Sequence, residues 1–224
     1  MTDILEIPVY NDAKKKIRQN LAAMFAKETL DIFDTDARLL ALEISSPLKI
    51  GVGDKTPLFE LPNAIGNTIA IKDLLNQGPV VITFYRGNWC PYCNLVLNTY
   101  QKILPEIKAL GANLIAISPQ TPDSSLDMKA KHDLGFEILS DSKNNIAKQF
   151  TTIIKNSKEA INEAKKLGIY FYDYYDNNSR DIPVPAVFVI DKNGTIVFAK
   201  SENGDYRLRV EPQDILDALS YIAE

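Results

Sequence analysis

The chain has 224 residues, 46% of them hydrophobic, and a formal net charge of −4. That length and apolar content suit one ordinary domain with additions and a sizeable core. The acidic balance argues against a nucleic-acid surface, and no apolar run reaches the roughly 18 residues that a membrane helix needs.

Residues 11–45 read as helical. Ala13, Ile17, Leu21, Met24 and Phe25 recur at helical spacing with Lys14, Lys15, Arg18 and Gln19 between them. A second helix is predicted from about Asp34 or Asp36 to Ile44, stopped by Pro47. These helices either pack on their own chain or form the arm of a homodimer. Residues 46–79 are rich in turn residues. Leu58–Leu61 and Thr68–Ile71 fit a β-hairpin, and Lys72–Leu75 a short helix.

Val80–Phe84 is a short apolar run of the kind buried on both faces of a sheet. Gly87-Asn88 breaks it, and Cys90-Pro91-Tyr92-Cys93 follows at the head of a helical pattern. Pro91 suits the first turn of a helix, where its missing N–H costs nothing. Cys90 therefore sits at a helix N-terminus, where free N–H groups and the helix dipole favour a thiolate. Cys93 lies one turn further on, close enough to close a disulfide. These are the only cysteines in the chain, and His132 is the only histidine. Three such residues are too few for a self-contained four-ligand zinc site. No metal and no cofactor is expected, and the dithiol reads as redox-active. His132, in Lys129-Ala130-Lys131-His132-Asp133, reads as a solvated side chain.

The helix after the dithiol is predicted to run to Leu110, with a kink at Pro105 and Gly111 as its cap. Asn113–Ser118 is a second buried strand, which makes a βαβ unit with parallel pairing. A helix from Asp123 to about Leu134, a strand over Phe136–Ser140 and a helix over Asn145–Phe150 capped by Asp141 come next. Ser157–Leu167 is helical. Tyr170, Tyr172, Tyr174 and Tyr175 lie in an irregular stretch that either packs under a loop or lines a substrate surface. Ala186–Ile190 is a buried strand, Asp191-Lys192-Asn193-Gly194 reads as a type I′ hairpin turn, and Thr195–Ala199 returns antiparallel. Pro212 opens the last helix. Met1–Glu6 lacks a basic region followed by an apolar one, which argues against an export leader and favours a cytoplasmic setting.

Several stretches together resemble the AhpC/TSA (alkyl hydroperoxide reductase/thiol-specific antioxidant) peroxiredoxins of the thioredoxin-fold superfamily. They are Val52–Pro62, Gly78–Cys93, Ile117-Ser118-Pro119-Gln120, Ile138–Asp141 and Val184–Gly194. The resemblance implies an α/β thioredoxin-like fold over 48–224, a central mixed sheet flanked by helices, preceded by a helical extension over 1–47. It further implies a cis peptide bond at Pro185, facing the dithiol. The chain departs from the family's Pro-x-x-x-Thr/Ser-x-x-Cys loop, having Gly87 at the hydroxyl position and Thr83 at the proline position; Pro185 stands where the family has its distant arginine. Arg86 is a candidate for the missing cation, with Arg207 and Arg209 behind it. Trp89-Cys90-x-x-Cys93 with Pro185 is closer to thioredoxins, and Cys-Pro-Tyr-Cys also occurs in dithiol glutaredoxins. The site residues read from the sequence are thus Cys90, Cys93, Trp89, Pro185 and Arg86.

Three functions compete. A thiol-dependent peroxidase would reduce a hydroperoxide, using Cys90 as the attacking thiolate and Cys93 as the resolving thiol, with thioredoxin or glutathione as reductant. A thiol–disulfide oxidoreductase would use the same residues on a protein disulfide. A redox-sensing module would use the N-terminal helices to bind a partner.

Overall fold

The computed structural model describes residues 6–223. The reading of the N-terminus as leader-free rests largely on residues 1–5, outside that range. Five strands form a central mixed sheet: β3 (Val80–Phe84), β4 (Asn113–Ser118), β5 (Glu137–Ser140), β8 (Ala186–Ile190) and β9 (Ile196–Lys200). Their order across the sheet is β5-β4-β3-β8-β9. β3, β4 and β5 are parallel, whereas β8 is antiparallel to both β3 and β9.

All five residues of β3 are buried because both faces of the sheet are covered. Alternation along the strand sorts them. Val81, with Tyr85 just beyond the strand, faces a core shared with helices α4 (Pro91–Lys102), α5 (Leu104–Ala109) and α9 (Pro212–Ala223). Val80, Ile82 and Phe84 face the opposite core. There Phe84, Phe150 and Phe188 pack ring to ring with centroids 5.1–6.1 Å apart. That side is closed by the hairpin β1 (Glu60–Pro62) and β2 (Thr68–Ala70) and by helices α3 (Ile71–Gln77) and α7 (Ala147–Phe150).

The N-terminal helices are α1 (Tyr10–Met24) and α2 (Lys27–Glu43). They pack on their own chain. Tyr10, Ala37 and Leu40 are buried in the same core as α4. Glu211, next to α9, accepts the free N–H groups of Tyr10 and Asn11 at 2.6 and 3.0 Å, an anion at a helix N-terminus. Gly204 closes the other end. Its N–H donates to the Ile44 carbonyl at 2.9 Å, and a Cβ there would collide with the Leu40 carbonyl. Leu39 and Leu42 stay exposed on the outer face of α2. Among the described residues, no helix is long and apolar enough to cross a membrane.

Several elements differ from the sequence reading. α2 starts at Lys27 rather than near Asp34, because the chain breaks only at Phe25-Ala26 and Glu28 sits in the first turn. The predicted kink at Pro105 is a full break at Ile103, which separates α4 from α5. Helix α6 (Pro122–Lys131) begins one residue early, because the Thr121 hydroxyl caps it by accepting the Ser124 N–H. The antiparallel pair β6 (Ile153–Lys155) and β7 (Asp181–Pro183) goes unseen in the sequence, being three residues per strand with no alternation to read. The turn after β8 is not type I′: only Gly194 has positive φ, at 78°, while a type I′ turn requires it at both central residues. Asp191 Oδ1 accepts from the backbone N–H groups of Asn193 and Thr195 and holds a longer turn.

Candidate active site

β3 delivers the chain to the C-terminal edge of the sheet, and the turn there is fixed mainly by side chains. Gln120, fully buried after β4, accepts the Asn88 N–H at 2.8 Å. Asn94 Nδ2 donates to the Asn88 carbonyl at 2.9 Å. Cys90 is the N-cap residue of α4, with extended backbone, and Pro91 begins the helix. The Cys90 carbonyl accepts the N–H groups of Cys93 and Asn94 at 3.0 and 3.1 Å, which sets Cys93 in the first helical turn. Both cysteines are free thiols.

A cavity of about 370 Å³ opens over Cys90. Cys90, Trp89, Arg86 and Tyr206 are among the residues of its floor. Leu21 of α1 and Phe33 of α2 line it as well, as do Ile161 and Ala164 of helix α8 (Lys158–Lys166). Cys93 does not line it. Cys90 itself is only 1% exposed. The N-terminal helices and α8 thus wall the site.

Arg86 is 2% exposed and lies in that floor. Its guanidinium carbon stands 3.7 Å from the Tyr206 ring centroid and 4.8 Å from that of Trp89, within cation–π range. Its Nη2 donates to Asn156 Oδ1 at 2.8 Å. Trp89 Nε1 donates to the Tyr175 hydroxyl at 2.7 Å, and that hydroxyl donates to the Arg86 carbonyl at 2.9 Å. This pair explains Gly87 at the family's hydroxyl position: a Cβ there would lie 2.5 Å from Trp89 Nε1 and 3.1 Å from the Tyr175 oxygen. The four tyrosines accordingly divide. Tyr175 is buried and structural, Tyr174 borders the cavity, and Tyr170 and Tyr172 are exposed.

The two thiols are pushed apart. Burial, the Cys93 sulfur beside it and the charge there raise Cys90 well above the usual thiol range. Burial also opposes ionisation of Cys93. The Cys90 S–H directed at it, the Arg209 and Arg86 guanidinium groups and the Arg86 backbone N–H overcome that opposition and hold Cys93 well below the usual range. Arg209 Nη2 lies 3.3 Å from Cys93 Sγ. The helix N-terminus is common to both sulfurs, and the buried Arg209 guanidinium touches Cys93.

The remaining candidates are sorted by the fold. Pro185 is trans, as no described peptide bond is cis, and it does not line the cavity. Val184 N–H donates to the Thr152 carbonyl and its own carbonyl accepts from Thr151 Oγ1. The chain therefore runs extended from β7 into β8 with no turn to call for cis; the Pro185 carbonyl accepts from Ser201 Oγ at 2.7 Å. Arg207 borders the cavity, but Asp34 and Asp205 engage its guanidinium at 2.8 and 2.6 Å. His132 is half-buried rather than solvated, with Asn98 at 2.9 Å, and does not line the cavity. Asn156, Tyr206 and Gln120 had no local signal in the sequence as site residues, although Ile117–Gln120, at the end of a buried strand, hinted at the last; Tyr175 stood out only as one of four clustered tyrosines.

The model of the AhpC/TSA family matches residues 52–199. Among curated proteins, a putative peroxiredoxin bcp of Coxiella burnetii is 25% identical over 111 residues, half of this chain and 73% of the relative. Peroxiredoxin Bcp of Escherichia coli K12 is 30% identical over 105 residues, covering 47% of this chain and 65% of that protein. Among solved structures, peroxidoxin BcpB of Mycobacterium tuberculosis superposes with a TM-score of 0.59 at 21% identity, over 77% of this chain and 98% of that one. PrxQ of Xylella fastidiosa, solved as a cysteine-to-serine mutant, gives 0.60 at 19%, over 77% and 97%. With the family match over well over half of the sequence, these superpositions make this chain a member of the AhpC/TSA family with a thioredoxin-like fold.

Proposed function

We propose that this protein is a thiol-dependent peroxidase in which Cys90 attacks a hydroperoxide. The observation that carries this reading is that Cys90 borders the cavity and Cys93 stands behind it. Cys90 sulfur takes the terminal peroxide oxygen and becomes a sulfenic acid, and the O–O bond breaks to release an alcohol or water. Cys93 then attacks the Cys90 sulfur, forms the disulfide and expels the oxygen as water. Arg86, in the floor beside Cys90, offers a fixed positive charge where negative charge develops on the peroxide oxygens.

The enclosure of Cys90 favours a small hydroperoxide over the alternative substrate, a protein disulfide. It likewise favours glutathione over thioredoxin as the reductant in a reducing cytoplasm. Single-turnover oxidation followed by mass spectrometry tests the reading. Wild-type protein should gain one internal disulfide per peroxide consumed. Cys93→Ser should stop at a sulfenic acid on Cys90. Consumption of peroxide by Cys90→Ser at the wild-type rate would sink it.

A further inference from the structure

The cavity over Cys90 is built from two unlike walls. The loop that carries the dithiol supplies Cys90, Trp89 and Arg86. The guanidinium of Arg86 has one hydrogen bond among the described residues, to Asn156, so most of its N–H donors are free. The facing wall is apolar. Leu21 and Phe25 of α1 and its end, Leu30 and Phe33 of α2, and Ile161 and Leu167 of α8 and its end all line the space. The four from α1 and α2 are half-buried, which leaves part of each apolar surface on the cavity. The charged groups that line it besides Arg86 are Arg18, Asp34, Arg207 and Lys131. Arg18 and Arg207 both donate to Asp34, at 2.7 and 2.8 Å, so those three satisfy one another, and Lys131 is exposed at the edge. Met24 lines the cavity and is 72% exposed, so the space reaches solvent beside it. A volume of about 370 Å³ is that of a small-molecule site, far larger than hydrogen peroxide needs. Apolar walls facing water are unfavourable, and an apolar ligand that displaces the water relieves this. Helices α1 and α2 lie outside residues 52–199, so this wall does not follow from membership of the family.

We propose that α1 and α2 select the substrate: with α8 they form a chamber for the apolar chain of an organic hydroperoxide, and Leu21 and Phe33 are specificity-determining residues that favour such a substrate over hydrogen peroxide. The inference rests on the reading of Cys90 as the attacking sulfur. The hydroperoxide group lies at Cys90 and Arg86, and its chain lies against Leu21, Phe33 and Ile161. The Cys90 sulfur bonds to the terminal oxygen as the O–O bond breaks, the thiol proton ends on the other oxygen, and the chain departs as its alcohol. Cys90 is oxidised to the sulfenic acid and the hydroperoxide is reduced. Hydrogen peroxide carries no apolar group and gains nothing from the wall. Each methylene that enters the chamber is worth about fourfold in binding.

Two measurements test this, one of them independent of peroxide chemistry. The first titrates the reduced protein with ethanol, butanol, hexanol and octanol, following the fluorescence of Trp89, the sole tryptophan and part of the chamber lining. Binding should tighten by about fourfold per methylene until the chamber is full. The second compares single-turnover rates of Cys90 oxidation by hydrogen peroxide and by ethyl, butyl and hexyl hydroperoxides. The hexyl compound should react faster than hydrogen peroxide by about a hundredfold or more. Leu21→Asn and Phe33→Asn should each lower that ratio by about tenfold, and Phe33→Leu should recover most of it. Ala164→Leu takes up space in the chamber without adding polarity, and it should move the preferred chain to a shorter one, which general loosening of the fold would not do. Alcohol binding that ignores chain length, or a hydrogen peroxide rate equal to the hexyl rate, would overturn the proposal. An unchanged ratio in both asparagine variants would overturn the selecting role of α1 and α2. Alcohols that bind by chain length while no hydroperoxide oxidises Cys90 would instead overturn the peroxidase reading.

Discussion

Replacing Arg86 by Met should remove activity while leaving the fold nearly as stable. Arg86 contributes a charged hydrogen bond to Asn156 at 2.8 Å, worth about 1.5–3 kcal/mol. It also stacks on Tyr206 and Trp89 at 3.7 and 4.8 Å, about 1–2 kcal/mol for each desolvated contact. Against these stands the cost of holding a guanidinium 2% exposed with no carboxylate partner among the described residues, several kcal/mol per buried ion. The two sides nearly cancel, and a methionine of similar length refills the space, so unfolding in urea should shift by no more than about 2 kcal/mol. The rate is a different matter. Met offers nothing to the charge that develops on the peroxide oxygens, and loss of one such preorganised donor costs about 10²–10³-fold. Arg86→Lys keeps the charge but cannot lie flat between Tyr206 and Asn156, so it should recover only part of the rate. The assay is single-turnover oxidation at saturating hydroperoxide beside a urea melt of the same preparation. A rate within about twofold of wild type would refute the role given to Arg86, and a rate loss matched by an equal loss of stability would make that role merely structural.

Other substitutions probe the scaffold. Gly204→Ala would drive a methyl into the Leu40 carbonyl and should destabilise by about 1–3 kcal/mol in urea unfolding, with loosened α2; an unchanged midpoint would contradict the close docking. Gly87→Thr would restore the family's hydroxyl position, yet its Cβ meets Trp89 and Tyr175. It should therefore lower rather than raise the peroxide rate and alter Trp89 fluorescence, and a faster enzyme would show that the hydroxyl fits after all. For pH, burial opposes ionisation of Asp205, but its bonds to Arg207 prevail and hold its carboxyl below the usual range. Its folded value is depressed, so the stability it contributes is present above the unfolded value of about 4 and is lost as pH falls through the folded one. Asp205→Asn should flatten the acid limb of the melting temperature against pH; identical acid limbs would remove Asp205 from the account.

What the sequence revealed was what neighbouring residues encode. The apolar run of β3, the glycine break, Pro91 and the paired cysteines lie within a few residues of one another, and their local rules agree. The parallel β3–β4 unit followed from the same pattern. What escaped was set by distant chain segments. Arg209 meets Cys93 across 116 positions, and Asn156 meets Arg86 across 70. No periodicity records such contacts. The helix N-terminus at Cys90 was legible; the buried cation beside Cys93 was not. Arg86 adjoins the dithiol in sequence and lines the same cavity as Cys90. The peptide bond at Pro185 is trans where the family pattern implied cis.

The most direct test of the central claim is stopped-flow mixing of the reduced protein with a small organic hydroperoxide, followed through Trp89 fluorescence. Trp89 is the only tryptophan and precedes Cys90 in the chain. The account predicts a fast change whose rate rises with peroxide concentration, which is absent in Cys90→Ser and ends in one disulfide per wild-type chain. The same change in Cys90→Ser, or a wild-type rate no faster than that of a free thiolate, would contradict it.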